Sequence, residues 1–308
     1  EAEDASGIYR LEFTTWRSAT VSEQTELPGA PIDADALGLL PEARFDPDLA
    51  ALVEAERAFA RLAGEAGMRD AFLAWLAEDA VAFLPGPMPA RPAYEGMDPS
   101  GQPRLEWGPA RVELSAAADL GLQTGPWRLT RAGETTPDLR GDYLSLWRRG
   151  TGRQWRVLVD LGVQSPDPRP LPVAAVGRRS FPRARTEELA SDLLLRRLED
   201  SLSELVARDG ERAALEALAT DDVHLLRDAE PGRAGRHWIA SLPQVEESGP
   251  WTSELTGSAL AGSGDLAAGW GIQQGSDGSA RAAYLRAWRW ADGKWRLLVD
   301  ARMALGDG

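Results

Sequence analysis

His224 follows Asp221-Asp222-Val223, where a helical stretch hands over to a strand. A histidine beside two carboxylates has its protonated form stabilised, and inside a cavity it would serve as a general base near neutral pH, assisted by Tyr284 or Asp222. A surface or half-buried histidine is the plainer alternative and is favoured. Asp160 and Asp300 close two similar runs, Trp155-Arg-Val-Leu-Val-Asp160 and Trp295-Arg-Leu-Leu-Val-Asp300. A carboxylate desolvated there would have a raised pKa and could act as an acid or base. The favoured reading makes both structural acids that anchor a turn or pair with a nearby arginine such as Arg156 or Arg296, which strand alternation puts on the same face. Among twelve tryptophans, Trp75, Trp127, Trp147, Trp270 and Trp288, with Tyr143, form a candidate pocket wall for an apolar or ring-shaped ligand. Ordinary core packing is the competing and favoured use of the same rings.

Other chemistry is missing. Without cysteine and with two histidines, the chain offers no thiol nucleophile and no zinc set, and it has neither a phosphate loop with its lysine nor a Gly-x-Ser-x-Gly elbow. No metal or cofactor is expected. Acidic residues outnumber basic ones 48 to 34, a net charge of -14, which repels nucleic acid and anionic membrane surfaces. No run of about 18 apolar residues exists, so no membrane span is expected. Lys294 is the sole lysine and asparagine is absent, the imprint of a GC-rich bacterial genome. The polar start Glu1-Ala-Glu-Asp-Ala-Ser6 resembles a mature terminus after signal cleavage, which suggests a periplasmic or secreted protein, with the cytoplasm as the alternative.

The elements that must position these residues repeat along the chain. Tyr143-Leu-Ser-Leu-Trp147, a turn and Trp155 to Asp160 recur as Tyr284-Leu-Arg-Ala-Trp288, a turn and Trp295 to Asp300. Each reads as a β-hairpin, turning at Gly152 or Asp292-Gly293, with Tyr143, Ser145 and Trp147 on one face and Leu144 and Leu146 on the other. Upstream, Asp119-Leu-Gly121 matches Asp265-Leu-Ala267, and Phe72 to Val81 matches Ala214 to Val223. Matching blocks in the same order point to tandem duplication. Each copy opens with a helix: Asp46 caps the first over a stripe of Leu49, Leu52, Val53 and Phe59, and Thr186 caps the second over Leu194, Leu198, Leu202 and Leu205. Between them Ser165 to Pro172 reads as an extended proline spacer, followed by Arg178, Arg179, Arg183 and Arg185 as solvated linker or as a clamp onto acidic surfaces. In the N-terminal extension, Ile8 to Trp16 reads as an added strand and Pro28 to Pro41 as a loop.

The pattern Leu105-Glu-Trp107-Gly-Pro, Asp119-Leu-Gly, Thr124-Gly-Pro-Trp127, Gly141-Asp-Tyr143, Trp147, Gly152 and Trp155 to Gly162 resembles an uncharacterised branch of the SnoaL-like and ketosteroid-isomerase-like superfamily, related to nuclear transport factor 2. The resemblance implies an α+β fold of two tandem cone-shaped domains, each with N-terminal helices on a strongly curved antiparallel sheet enclosing an apolar cavity. The expected division is extension 1–46, domain 47–164, linker 165–186 and domain 187–306, the domains docked as an intramolecular pair. The superfamily's cavities isomerise, cyclise, dehydrate or simply bind. No catalytic set carries over residue by residue, so the leading expectation is a non-catalytic binding or interaction protein of the bacterial cell envelope with an apolar small molecule as partner. The alternative is a lyase or isomerase acting on a small apolar carbonyl compound in the second domain, with the first domain as binder and the second as scaffold forming a third reading.

Overall fold

The computed structural model describes residues 46–305, apart from 168, 182–190 and 244–248. The expected strand at Ile8 to Trp16, the loop at Pro28 to Pro41, the Thr186 cap, Arg183 and Arg185 lie outside the described residues. Asp46 caps α1 (Pro47–Ala66), its Oδ1 accepting the amides of Asp48 and Leu49 at 3.1 Å each. Gly67, at φ 89°, turns the chain into α2 (Met68–Trp75). A second pair, α4 (Ser191–Asp209) and α5 (Glu211–Leu218), breaks at Gly210 with φ 85°. Both angles fall where a Cβ is strained, which is why glycine stands at each break.

The first helix pair leads into β1 (Leu76–Phe83), β2 (Pro87–Pro89), α3 (Ala90–Glu95), β3 (Arg104–Trp107), β4 (Arg111–Leu114), β5 (Leu120–Thr130), β6 (Leu139–Arg149), β7 (Trp155–Gln164) and β8 (Val176–Arg179). Their order across the sheet is β2-β1-β7-β6-β5-β4-β8, with β3 also on β5. After the second pair come β9 (Ala219–Arg227), β10 (Arg233–Ala234), a 3-10 turn at Arg236–Ser241, β11 (Trp251–Leu260), β12 (Leu266–Gly275), β13 (Ala280–Ala291) and β14 (Lys294–Ala304), ordered β10-β9-β14-β13-β12-β11. The hairpins fall where expected, with Asp292 and Gly293 both at positive φ in the second turn. The expectation of purely antiparallel sheets is corrected. Each sheet is mixed, because β1 runs parallel to β7 and β9 parallel to β14: the chain enters its first strand straight from the helices and lies beside the last strand in the same direction.

Alternation sorts the strands as their residue types demand. Tyr143 and Trp147 turn toward α1 and α2, and Trp288 toward α4 and α5. Leu144, Leu146, Leu161 and Val163 turn the other way and meet Leu285, Ala287, Val299 and Ala301, so the two sheets pack back to back. Reciprocal hydrogen bonds join the turns of the two halves: Asp119 Oδ2 accepts from the Gly262 amide at 2.8 Å, and Asp265 Oδ2 from the Ala116 amide at 2.9 Å.

The proline stretch Ser165 to Pro172 has no helix or strand among its described residues, as its prolines suggest, but the basic stretch after it is docked. Residues 176–179 form β8, parallel to β4 at the sheet edge. Arg179 bonds Asp46 and Asp48, Arg178 lies 3.6 Å from Asp222, and Ser180 donates to buried Glu113 at 2.8 Å. These two arginines are clamps, as the alternative had it. No described helix is long and apolar enough to cross a membrane.

Candidate active site

A cavity of about 70 Å³ lies between the first helix pair and the first sheet. Its wall is mostly apolar, with Phe59, Phe72, Trp107 and Trp127 and the flexible side chains of Met68, Met97 and Met303, and the polar groups it meets include Asp160 and Tyr143. Trp127 is held rigidly, its indole N–H shared between the carbonyls of Asp142 at 3.2 Å and Val163 at 3.1 Å. That approach requires glycine at 141, where a Cβ would fall 1.8 Å from the Val163 carbonyl oxygen.

Asp160 sits opposite Ser145 on the neighbouring strand and accepts its hydroxyl proton at 2.9 Å. The carboxylate keeps some accessible surface although protein surrounds it, because that surface faces the cavity. Burial raises its pKa to about 6, against the lowering effect of the Ser145 bond. At neutral pH most of it is ionised, in the range suited to a general base. The Tyr143 hydroxyl is buried and has no hydrogen-bond partner among the described residues. Burial first, then the charges of Glu56 and Asp160, hold that phenol well above its usual pKa, so it stays a proton donor. Glu56 projects from α1, fully buried, and accepts the indole protons of Trp107 at 2.7 Å and Trp147 at 2.8 Å. Its pKa rises to about 8, chiefly through burial, which the two indoles oppose and the Asp160 charge reinforces.

Solved structures resemble part of this chain. One is an NTF2-like protein of unknown function from Pseudomonas putida, 18% identical, aligned over 37% of this chain and 87% of that one with a TM-score of 0.29. A second, from Parabacteroides distasonis, is named as a candidate ketosteroid isomerase: 14% identity, 36% and 83% coverage, TM-score 0.28. A third, from Xanthomonas campestris, is named as a candidate calcium/calmodulin-dependent protein kinase II association domain: 18% identity, 42% and 97% coverage, TM-score 0.31. No family model and no curated protein matches the chain.

Of the residues singled out in the sequence, Trp127, Tyr143 and Asp160 meet at this cavity. Trp75 and Trp147 stand behind it in an edge-to-face cluster, 5.8 Å apart, rather than in its wall. Trp270 lies between the two sheets, and Trp288 is sealed under α4 with its indole N–H on Glu199 at 3.3 Å. The expected pairing of Asp160 with Arg156, and of Asp300 with Arg296, does not occur. A bulge in β7 and another in β14 break the alternation, so that Arg156 faces Arg148 while Asp160 faces Ser145, and Arg296 faces Arg289 while Asp300 faces Arg286.

In the second half the matching place is filled by charge. Arg286 is fully buried, bonding Glu199 and Ser253 and reaching Asp300 at 2.9 Å, its guanidinium stacked on Tyr284 at 4.3 Å. Arg227 and Arg302 complete the shell around Asp300 and Glu211. Although burial opposes it, Arg227, Arg302 and Arg286 together hold the Asp300 carboxyl well below its usual range. His224 does not face a cavity with two free carboxylates. It sits at the contact between sheets, its Nδ1 3.3 Å from the Thr124 hydroxyl, while Asp222 is engaged by Arg289 at 2.7 Å. Burial and then the Arg111 charge lower its pKa to about 3, so it is neutral across the working range, contrary to the expected titration near neutrality. Among the described residues no group of three His, Cys, Asp or Glu side chains could hold a metal ion.

Proposed function

We propose that the first half binds a small apolar carbonyl compound and moves a proton on it, the chemistry of an isomerase or lyase. The observation that carries this is the pairing of an apolar cavity with the Asp160 carboxylate and the buried, unpartnered Tyr143 hydroxyl. A carbonyl oxygen accepts from Tyr143 and so satisfies an otherwise costly orphan donor. Asp160 removes the adjacent C–H proton, the electron pair passes into the enolate, the negative oxygen is stabilised by the phenol, and the proton returns to carbon. At about 70 Å³ the cavity is about half of the ~150 Å³ that holds a benzene, so it takes a small open-chain ketone as it stands and a ring only when a methionine moves aside.

The test needs no knowledge of the natural substrate. Exchange of the α-protons of butanone or cyclopentanone in D2O, followed by NMR, is expected with the full chain and reduced about 10²- to 10⁴-fold in Asp160→Asn. Equal exchange by the two proteins sinks the assignment of the base.

We infer also that the halves are copies of one domain docked as an intramolecular pair. The reciprocal bonds of Asp119 and Asp265, which hold matching places in the repeat, support this reading. A protease site inserted within 182–190 tests it: after cleavage the fragments should co-elute, and their separation would argue against an autonomous docking surface.

A further inference from the structure

We propose that Met303, carried by the second half, is the end wall that limits ligand size in the first-half cavity. The inference rests on the carbonyl-site reading and adds a residue that sets specificity. Apart from Met303, the cavity lining comes from residues 59–162. Met303 belongs to β14 and is 8% exposed within the core between the sheets, yet it also reaches the cavity.

Its position is fixed by a staple between the halves. Asp228 Oδ1 accepts the Gln164 amide and Oδ2 the Ala304 amide, both at 2.8 Å. Gln164 is two residues beyond Gly162 in the cavity wall, and Ala304 follows Met303 directly. The backbone tightens the same joint, with the Ala229 amide on the Gln164 carbonyl at 3.0 Å and the Asp228 amide on the Arg302 carbonyl at 3.2 Å. The end of β14 is therefore held against the end of β7. The spacing between Met303 and the Gly162 wall is set by fixed hydrogen bonds, while the methionine side chain itself can change rotamer. Such a residue discriminates by size: a short ligand fits beneath it and a larger one must displace it.

The experiment compares dissociation constants of butanone, cyclopentanone and cyclo-octanone for the full chain and for Met303→Ala, Met303→Leu and Leu285→Ala. Leu285 lies in the same intersheet core but does not line the cavity, so it reports on lost packing alone. Wild type should prefer the smaller ring. Met303→Ala should shift the ratio at least about tenfold toward the larger one, the low end of what one methylene is worth in an apolar pocket. Met303→Leu, which conserves volume, should stay near wild type, and Leu285→Ala should lower thermal stability without moving the ratio. An unchanged ratio in Met303→Ala, with wild type binding intact, overturns the role of Met303. Wild type that binds neither ring nor butanone overturns the carbonyl-site reading itself, and this inference with it; butanone bound with both rings still refused by Met303→Ala overturns the role of Met303 alone.

Discussion

Ser145 and Arg286 occupy the same register position in their two sheets, each directly opposite an aspartate, and they give those aspartates opposite characters. Around Asp160 stand a hydroxyl, a phenol and space, so burial wins and the carboxyl rises to about 6. Around Asp300 stand three guanidiniums, so charge wins and the carboxyl falls. The helical partner is shared: Glu56 takes the Trp147 indole and Glu199 the Trp288 indole. On the proposed reading, Ser145 against Arg286, with Arg227 and Arg302 added around Asp300, separates a half equipped for proton transfer from a half equipped to hold shape. On that reading a carboxylate in a repeated frame is a base or a brace according to the groups packed around it.

The comparison breaks most severely if the two sides are exchanged. Ser145→Arg copies the second half into the first: the guanidinium would bridge Asp160 and Glu56, fill the cavity, and abolish α-proton exchange to the limit of detection. Ser145→Ala, which leaves the cavity open, should retain exchange and shift its pH midpoint upward by removing the bond that favours the ionised form. If Ser145→Arg still exchanges protons on butanone, Asp160 is not the base.

The reverse exchange is a stability experiment. Arg286→Ser leaves Glu199 and Asp300 buried with less compensation, and removing one member of a buried ionic network costs about 3–5 kcal/mol. Denaturant titration should show this loss with the first-half cavity still able to bind a ketone. A change below about 1 kcal/mol would mean that the network is not what holds the second half together.

The helix pairs, both hairpins and the shared face of Tyr143, Ser145 and Trp147 follow from period and turn chemistry, and the structure has them; which face turns inward does not follow. The bulges in β7 and β14 leave no mark that alternation can read, and each reverses the face of everything before it, which is why simple alternation puts Arg156 and Arg296 on the faces of Asp160 and Asp300 when they lie on the other. Glu56 carries a sequence signal of its own, since it falls in the helical stripe of Leu49, Leu52, Val53 and Phe59, where a carboxylate must find buried donors. Glu199 likewise shares a buried stripe with Leu195, Leu202 and Val206, whereas Leu198 and Leu205, expected in that stripe, are only partly buried. The substitution of Arg286 for Ser145 was visible in the aligned hairpins, but its meaning depended on which aspartate stood opposite. Met303 could not be found from sequence, because its contact with the cavity depends on how the two sheets dock.

The titrations of the two halves run in opposite directions, and this gives a subtler test. The folded-state pKa of Asp160 is raised, so the protonated carboxyl is the form the fold prefers, and stability present at low pH is lost as pH climbs from about 4 to 6. Glu56 extends the decline toward about 8. The folded-state pKa of Asp300 is depressed, so its contribution is present above the unfolded pKa and is lost as acid protonates it. Thermal unfolding of Asp160→Asn should therefore gain about 1–3 kcal/mol over wild type at pH 7 and little at pH 4, while exchange by wild type rises through a midpoint near 6. A variant no more stable than wild type at pH 7 would mean that Asp160 carries no burial penalty and is an ordinary solvated acid.

His224 supplies the smallest expected effect and the sharpest check on which half does the chemistry. With its pKa lowered to about 3, the imidazole is neutral throughout the range in which exchange is measured, and its nearest polar partner is Thr124 of the opposite sheet. His224→Ala should change exchange by less than about twofold, within the effect of a small packing loss, and leave the midpoint near 6 in place. A large loss of rate together with disappearance of that midpoint would assign proton transfer to the junction of the sheets. Asp160 would then be a brace like Asp300, and the difference between the halves would lie in packing rather than in chemistry.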